Sequence, residues 1–137
     1  MPRFYWRGIP AQTMAKYEFT VTVSPRFLPE QSDPENESYL FAYTIRIVNS
    51  GEVRAQLLSR HWIITDANQH VEHVRGPGVV GEQPRLAPGE AFEYTSGCPL
   101  TTPFGSMRGS YQCLAEDGTK FDVPIEEFLL SVPRTLH

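Results

Sequence analysis

The residues most suggestive of chemistry form the run Gly76-Pro77-Gly78-Val79-Val80-Gly81, a formal G-x-G-x-x-G. In a dinucleotide fold such glycines close a strand-to-helix turn, and the helix N-terminus holds a pyrophosphate. Here the run is followed by Glu82-Gln83-Pro84-Arg85-Leu86-Ala87-Pro88-Gly89, whose two prolines forbid a helix interior. A dinucleotide-fold site is excluded. A helix-free version stays open, in which backbone N–H groups of Val79, Val80 and Gly81 form an anion nest and Arg75 or Arg85 adds charge. The plainer alternative is a pair of tight connections, with glycine supplying positive φ and proline rigidity.

Arg60 and Trp62 are two apart in a strand-like stretch and so share a face. Trp62 reads as core. Arg60 could stack on an aromatic or grip a partner's carboxylate; the plainer expectation is a strand-end arginine paired to an Asp or Glu of this chain. His70 and His73 bracket Glu72, but positions three apart on a strand point to opposite faces and cannot converge on a metal. His61 and His137 are isolated in sequence, and no metal or other cofactor is expected. Cys113 alternates with Met107, Gly109 and Tyr111, so it reads as a small core residue. Cys98 sits between Gly97 and Pro99 without a histidine neighbour to activate it. There is no G-x-S-x-G elbow, and Asp33-Pro34-Glu35-Asn36-Glu37 reads as a solvated acidic loop. No catalytic constellation emerges, and the expectation is a protein that is not an enzyme.

The elements that must position these residues follow from composition and period. The chain has 137 residues, one domain's worth. Its 12 Lys and Arg against 16 Asp and Glu give a net charge of −4, which disfavours tracking a phosphate backbone and hence nucleic-acid binding. A hydrophobic content of 40% is enough for a core, and no apolar run reaches the ~18 residues of a membrane span. Residues 1–13 lack the continuous apolar stretch of a signal peptide, so the expected compartment is the cytoplasm, with Cys98 and Cys113 reduced. Residues 1–15 read as a flexible N-terminal extension, with Met14 a possible natural start, and 16–137 as a single domain.

The period is two. Tyr39, Phe41, Tyr43, Ile45 and Ile47 alternate, as do Phe19, Val21 and Val23 before Pro25, which is expected to close that strand. Residues 53–65 and 70–75 read as two strands around a turn at Asp66-Ala67-Asn68-Gln69. One more strand fits Ala91 to Ser96, and Asp117-Gly118 is a strong hairpin signal between strands at 107–113 and 121–132. In the last of these, Phe121, Val123 and Ile125 differ in parity from Phe128, Leu130 and Val132, which predicts a bulge at Glu126-Glu127. The whole is all-β: an antiparallel β-sandwich of the immunoglobulin or fibronectin type with about seven or eight strands, a small closed barrel being the competitor.

Several blocks resemble the ApaG family. They are Asp33-Pro34-Glu35-Asn36 with Tyr39-Leu40-Phe41-Ala42-Tyr43-Thr44-Ile45, then Gln56-Leu57-Leu58-Ser59-Arg60-His61-Trp62-Ile63-Ile64, then Gly76 to Pro84. Leu86-Ala87-Pro88-Gly89-Glu90, Tyr94-Thr95-Ser96-Gly97, Gly105 to Tyr111 and the terminal Leu136-His137 continue the match. The resemblance implies a small bacterial cytoplasmic protein with a fibronectin type III-like sandwich, whose gene often neighbours those of a diadenosine tetraphosphatase and an rRNA methyltransferase. It also implies a link to cobalt and magnesium efflux, and a relation to interaction modules of larger eukaryotic proteins.

Three functions follow as expectations. The first is a non-enzymatic module that binds another protein through an edge strand or a sheet face. The second is a sensor of pyrophosphate-containing nucleotides at Arg75, Gly76, Gly78, Val79, Val80 and Gly81, with Arg60 and Trp62 as neighbours. The third is an accessory role in divalent-cation homeostasis, without transport by this chain, since nothing in it crosses a bilayer.

Overall fold

A computed structural model describes residues 15–133. The aromatic-basic arm, the Met14 start and the terminal Leu136-His137 lie outside the described residues. Eight strands follow in order: β1 (Phe19–Phe27), β2 (Tyr39–Asn49), β3 (Ala55–Asp66), β4 (Val71–Pro77), β5 (Arg85–Leu86), β6 (Ala91–Leu100), β7 (Phe104–Ala115) and β8 (Lys120–Ser131). One sheet runs β1-β2-β6 and the other β4-β3-β7-β8, with the two-residue β5 also pairing β3. Every strand pairing is antiparallel. No helix among the described residues is long and apolar enough to cross a membrane.

The inner faces follow the alternation. Phe41, Tyr43, Ile45 and Ile47 of β2 are buried against Trp62, Met107, Tyr111, Cys113, Val123 and Ile125 of the facing sheet. The bulge falls where parity changes: Met107 pairs Phe128 while Gly109 pairs Ile125, so Glu126 and Glu127 together oppose Arg108. The Asp117-Gly118 turn closes with Ala115 N–H donating to Thr119 O at 2.7 Å, and Gly118 takes φ +92°.

Two strands outrun their expected ends. β1 continues through Pro25 to Phe27, and β6 through Gly97 and Pro99 to Leu100. Both are edge strands, where a proline's missing N–H costs no ladder bond. Hydrogen bonds alternate along an antiparallel pair, so single bonds fix which groups face outward. Leu28 N–H donates to Leu40 O, Asn49 N–H to Glu90 O and Ala115 N–H to Thr119 O. By that alternation Pro25, Pro99 and Pro124 each occupy an outward-facing slot of their edge. In β4, Gly78 N–H to Leu58 O (2.8 Å) and Asp66 N–H to His70 O (3.0 Å) leave the N–H groups of Val71, His73 and Arg75, and the slot of Pro77, on the side away from β3, where no strand among the described residues pairs with them. Only its terminal Pro77 is a proline.

Candidate functional site

The glycine-rich run is the end of β4 and a tight hairpin that returns toward β5. Val79 N–H donates to Glu82 O at 2.8 Å and Glu82 N–H to Val79 O at 2.9 Å, around Val80 (φ +49°) and Gly81 (φ +80°). Both central residues have positive φ, as in a type I′ turn. Val79 is fully buried. Its N–H is therefore committed within the hairpin, and only Val80 and Gly81 among the three expected nest donors have N–H groups without a backbone acceptor among the described residues. A Cβ on Gly78 (φ +59°) would overlap the Glu82 carbonyl oxygen, so this glycine closes the loop whatever else it does.

Arg60 lies opposite Gly76 on the inner side of the five-stranded sheet. It is neither at a strand end nor bonded to a carboxylate as expected. Its Nη1 donates to Pro77 O and Gly78 O at 2.9 Å each. The outermost carbonyls of β4 and the loop thus engage both N–H groups of Nη1. Sequence reasoning named Arg60 as a neighbour of the glycine run; in the fold it bonds to carbonyls of that run.

Trp62 is 3% exposed and packs edge-on against Tyr43 (5.5 Å), Phe128 (5.9 Å) and Tyr111 (6.5 Å). Withdrawing a side chain of this class from the core costs about 3 kcal/mol, so it is held as core and offers a ligand little of its face. Beside it a cleft of about 280 Å³ opens between the two sheets, bounded by Arg60, Glu72 and Val74 on one side and Ser96, Cys98 and Pro99 on the other. Burial pushes the Cys98 thiol up to about 11, and Glu72 adds to the rise. Cys113 is pushed to about 12, again by burial first and then by Asp122. Both are free thiols and stay protonated at neutral pH, the opposite of an activated nucleophile. Deeper in the core, Tyr94 and Tyr111 share a hydroxyl–hydroxyl hydrogen bond of 2.6 Å. Burial raises both phenols above their ordinary value.

Arg75 parts company with the loop. It projects from the outer face of the five-stranded sheet, opposite His61. On that face His61 Nε2 and His73 Nδ1 are 2.9 Å apart with their rings stacked, while Ile63 pairs with both His73 and Arg108. His61 is held below its ordinary imidazole range, first by desolvation and then by the charges of Arg75, His73 and Arg108. This cluster, Arg75 and Arg108 flanking the His61–His73 pair, was not gathered by sequence reasoning. The signal was present: the Asp66–Gln69 turn aligns Asp66 with His70, and counting back along that register brings His61 to Arg75. The His70–His73 pair on one strand was the wrong one to inspect. Among the described residues no group of three or more His, Cys, Asp or Glu could hold a metal ion.

Residues 29–115 match the family model described as the ApaG domain. Protein ApaG of Bordetella pertussis is 64% identical over 121 residues, covering 88% of this chain and 92% of that protein. Protein ApaG of Dechloromonas aromatica is 63% identical over 122 residues, covering 89% and 96%. The crystal structure of a Bordetella pertussis protein described as ApaA superposes with a TM-score of 0.86 at 62% identity, covering 89% of this chain and 99% of that one. This chain belongs to the ApaG family.

Proposed function

We propose that the protein is a non-enzymatic cytoplasmic binding module that engages another protein by accepting an extended segment along the open edge of β4. The observation that carries this is the run of outward N–H groups at Val71, His73 and Arg75, interrupted only by the terminal Pro77, along an edge that borders the inter-sheet cleft. An edge with unpaired N–H groups is a template for strand addition. The buried, protonated thiols and the committed loop donors are consistent with binding rather than catalysis. The sheet orders β1-β2-β6 and β4-β3-β7-β8 support a sandwich of the fibronectin type III kind.

The test is selection of phage-displayed random peptides on the intact protein, followed by rescreening on His73→Pro. That substitution removes an outward N–H without breaking a ladder bond. Retained peptides should lose at least tenfold in affinity on His73→Pro and keep it on Glu93→Pro, which alters an outward position of β6. Equal binding to both variants overturns the strand-addition reading.

A second reading, sensing of a pyrophosphate-containing nucleotide, is favoured by one observation. The Val80 and Gly81 N–H groups have no backbone acceptor among the described residues. Saturable amide shifts at those two residues with diadenosine tetraphosphate would support it, and an unchanged spectrum at millimolar ligand would remove it. Gly81→Ala is the informative variant, because nothing lies within 4 Å of a Cβ there, whereas Gly78 is required by the loop itself. For the third expectation, divalent-cation homeostasis, no residue cluster among the described residues supplies chemistry.

A further inference from the structure

The open edge of β4 has a chemistry as well as a shape. By strand alternation, Val71, His73 and Arg75 project to the outer face, and Glu72, Val74 and Gly76 to the inner one. On the outer face His73 and Arg75 stand in one field with His61 and Arg108, in a chain whose net charge is −4. Glu126 and Glu127 oppose Arg108 across the β8 bulge, on the side away from β4. The β4 side of the face therefore keeps its positive character up to the edge. On the inner side Val74 borders the cleft beside Trp62, Cys98 and Pro99.

We infer that the occupant of the β4 edge is an extended acidic segment of a partner protein, with carboxylates opposite His73 and Arg75 and an apolar side chain beside Val74 over the inter-sheet cleft. This deepens the strand-addition proposal and rests on it. In an added antiparallel strand the residues directly opposite lie within about 5.5 Å, close enough for ion pairing across the strands. Each alternate residue falls on the other face, so one strand meets the cationic cluster and the cleft at once. A second copy of this chain fits less well. Pairing β4 with its own copy would bring two cationic clusters together, and like charges across strands repel. The terminal segments 1–14 and 134–137 contain three Arg and a His but no Asp or Glu, so they do not supply the complement.

The test uses the full-length protein and two blocked nonapeptides, one alternating Glu and Val and the other alternating Lys and Val. The Glu peptide should bind about tenfold more tightly than the Lys peptide, attraction to Arg75 for one and repulsion from it for the other being enough for that ratio. Its affinity should fall with added salt. The double variant Arg75→Glu, Arg108→Glu should reverse the preference, a gain for the Lys peptide that misfolding cannot produce. Equal affinity for the two peptides, both lost on His73→Pro, overturns the acidic assignment and leaves strand addition standing. If neither peptide slows amide exchange at His73 and Arg75, both proposals fall. A dimer detected by sedimentation and abolished by His73→Pro gives the edge to a second copy and likewise overturns the inference.

Discussion

Gly76 owes its identity to Arg60: a Cβ built on Gly76 would lie 2.9 Å from Nη2 of the guanidinium that spans beneath it to the Pro77 and Gly78 carbonyls. A side chain at this position of β4 would have to shift the arginine on β3 that holds down the loop that follows. Gly76→Ala should displace Arg60 and forfeit those two charge-assisted bonds, a loss of about 1–2 kcal/mol after the gain from replacing a strand glycine. In an Arg60→Ala background the same substitution should be neutral or stabilising. Urea melts of the four proteins in this cycle should show a coupling of about 1 kcal/mol or more.

Val80 is a β-branched residue at φ +49° on an exposed turn. That conformation favours Asn or Gly and is an outlier for Val. Val80→Asn should stabilise the protein by about 1 kcal/mol, raising the Tm by a few degrees in a calorimetric scan. An unchanged or lower Tm would show that the Val80 side chain makes up for its backbone strain.

Asn49 is 1% exposed and fully engaged. Its Nδ2 donates to Leu86 O at 2.8 Å and Val53 O at 3.0 Å, and its Oδ1 accepts from Gly51 N–H at 2.9 Å. It ties the β2–β3 connection to the short β5. Asn49→Leu keeps the volume and leaves three backbone groups without their partner, at a cost of about 3 kcal/mol in a urea melt.

The raised thiols and phenols set the alkaline limit of stability. When the native pKa lies above the unfolded one, the contribution to stability is complete below the unfolded pKa and is lost as pH rises toward the native value. For Cys98 and Cys113 that loss begins near the ordinary thiol value of 9.0 and runs toward about 11 and 12. For Tyr94 and Tyr111 it begins near 10.0. Denaturation midpoints should therefore hold steady from pH 7 to about 9 and fall above it. Native protein at pH 8 should resist a thiol reagent until it unfolds, and stoichiometric labelling of the folded state would contradict the burial of both cysteines.

What was legible in the sequence is what depends on near neighbours. Alternation placed the buried faces of β2 and β7, Asp117-Gly118 gave its hairpin, and the parity change at Glu126-Glu127 gave the bulge. What escaped depends on which strand lies beside which. Pro25 looks like a terminator, and Ser96 like the end of its strand, until both strands are known to be edges that tolerate proline. Arg60 looks like a partner for an acid until Pro77 and Gly78 are seen to turn their carbonyls toward it. Arg75 seemed part of the glycine loop because it is adjacent in sequence, yet strand alternation sends it to the opposite face from Arg60. His61 looked isolated because its partner His73 is reached only across the β3–β4 pair.

Amide hydrogen exchange at Val71, His73 and Arg75, measured by NMR with and without a selected peptide, bears most directly on the binding of a partner strand at β4. Those three amides should exchange quickly in the free protein, where they face solvent, and at least tenfold more slowly in the complex. Binding that leaves them unprotected while shifting only the Val80-Gly81 hairpin or another face of the sandwich would contradict it.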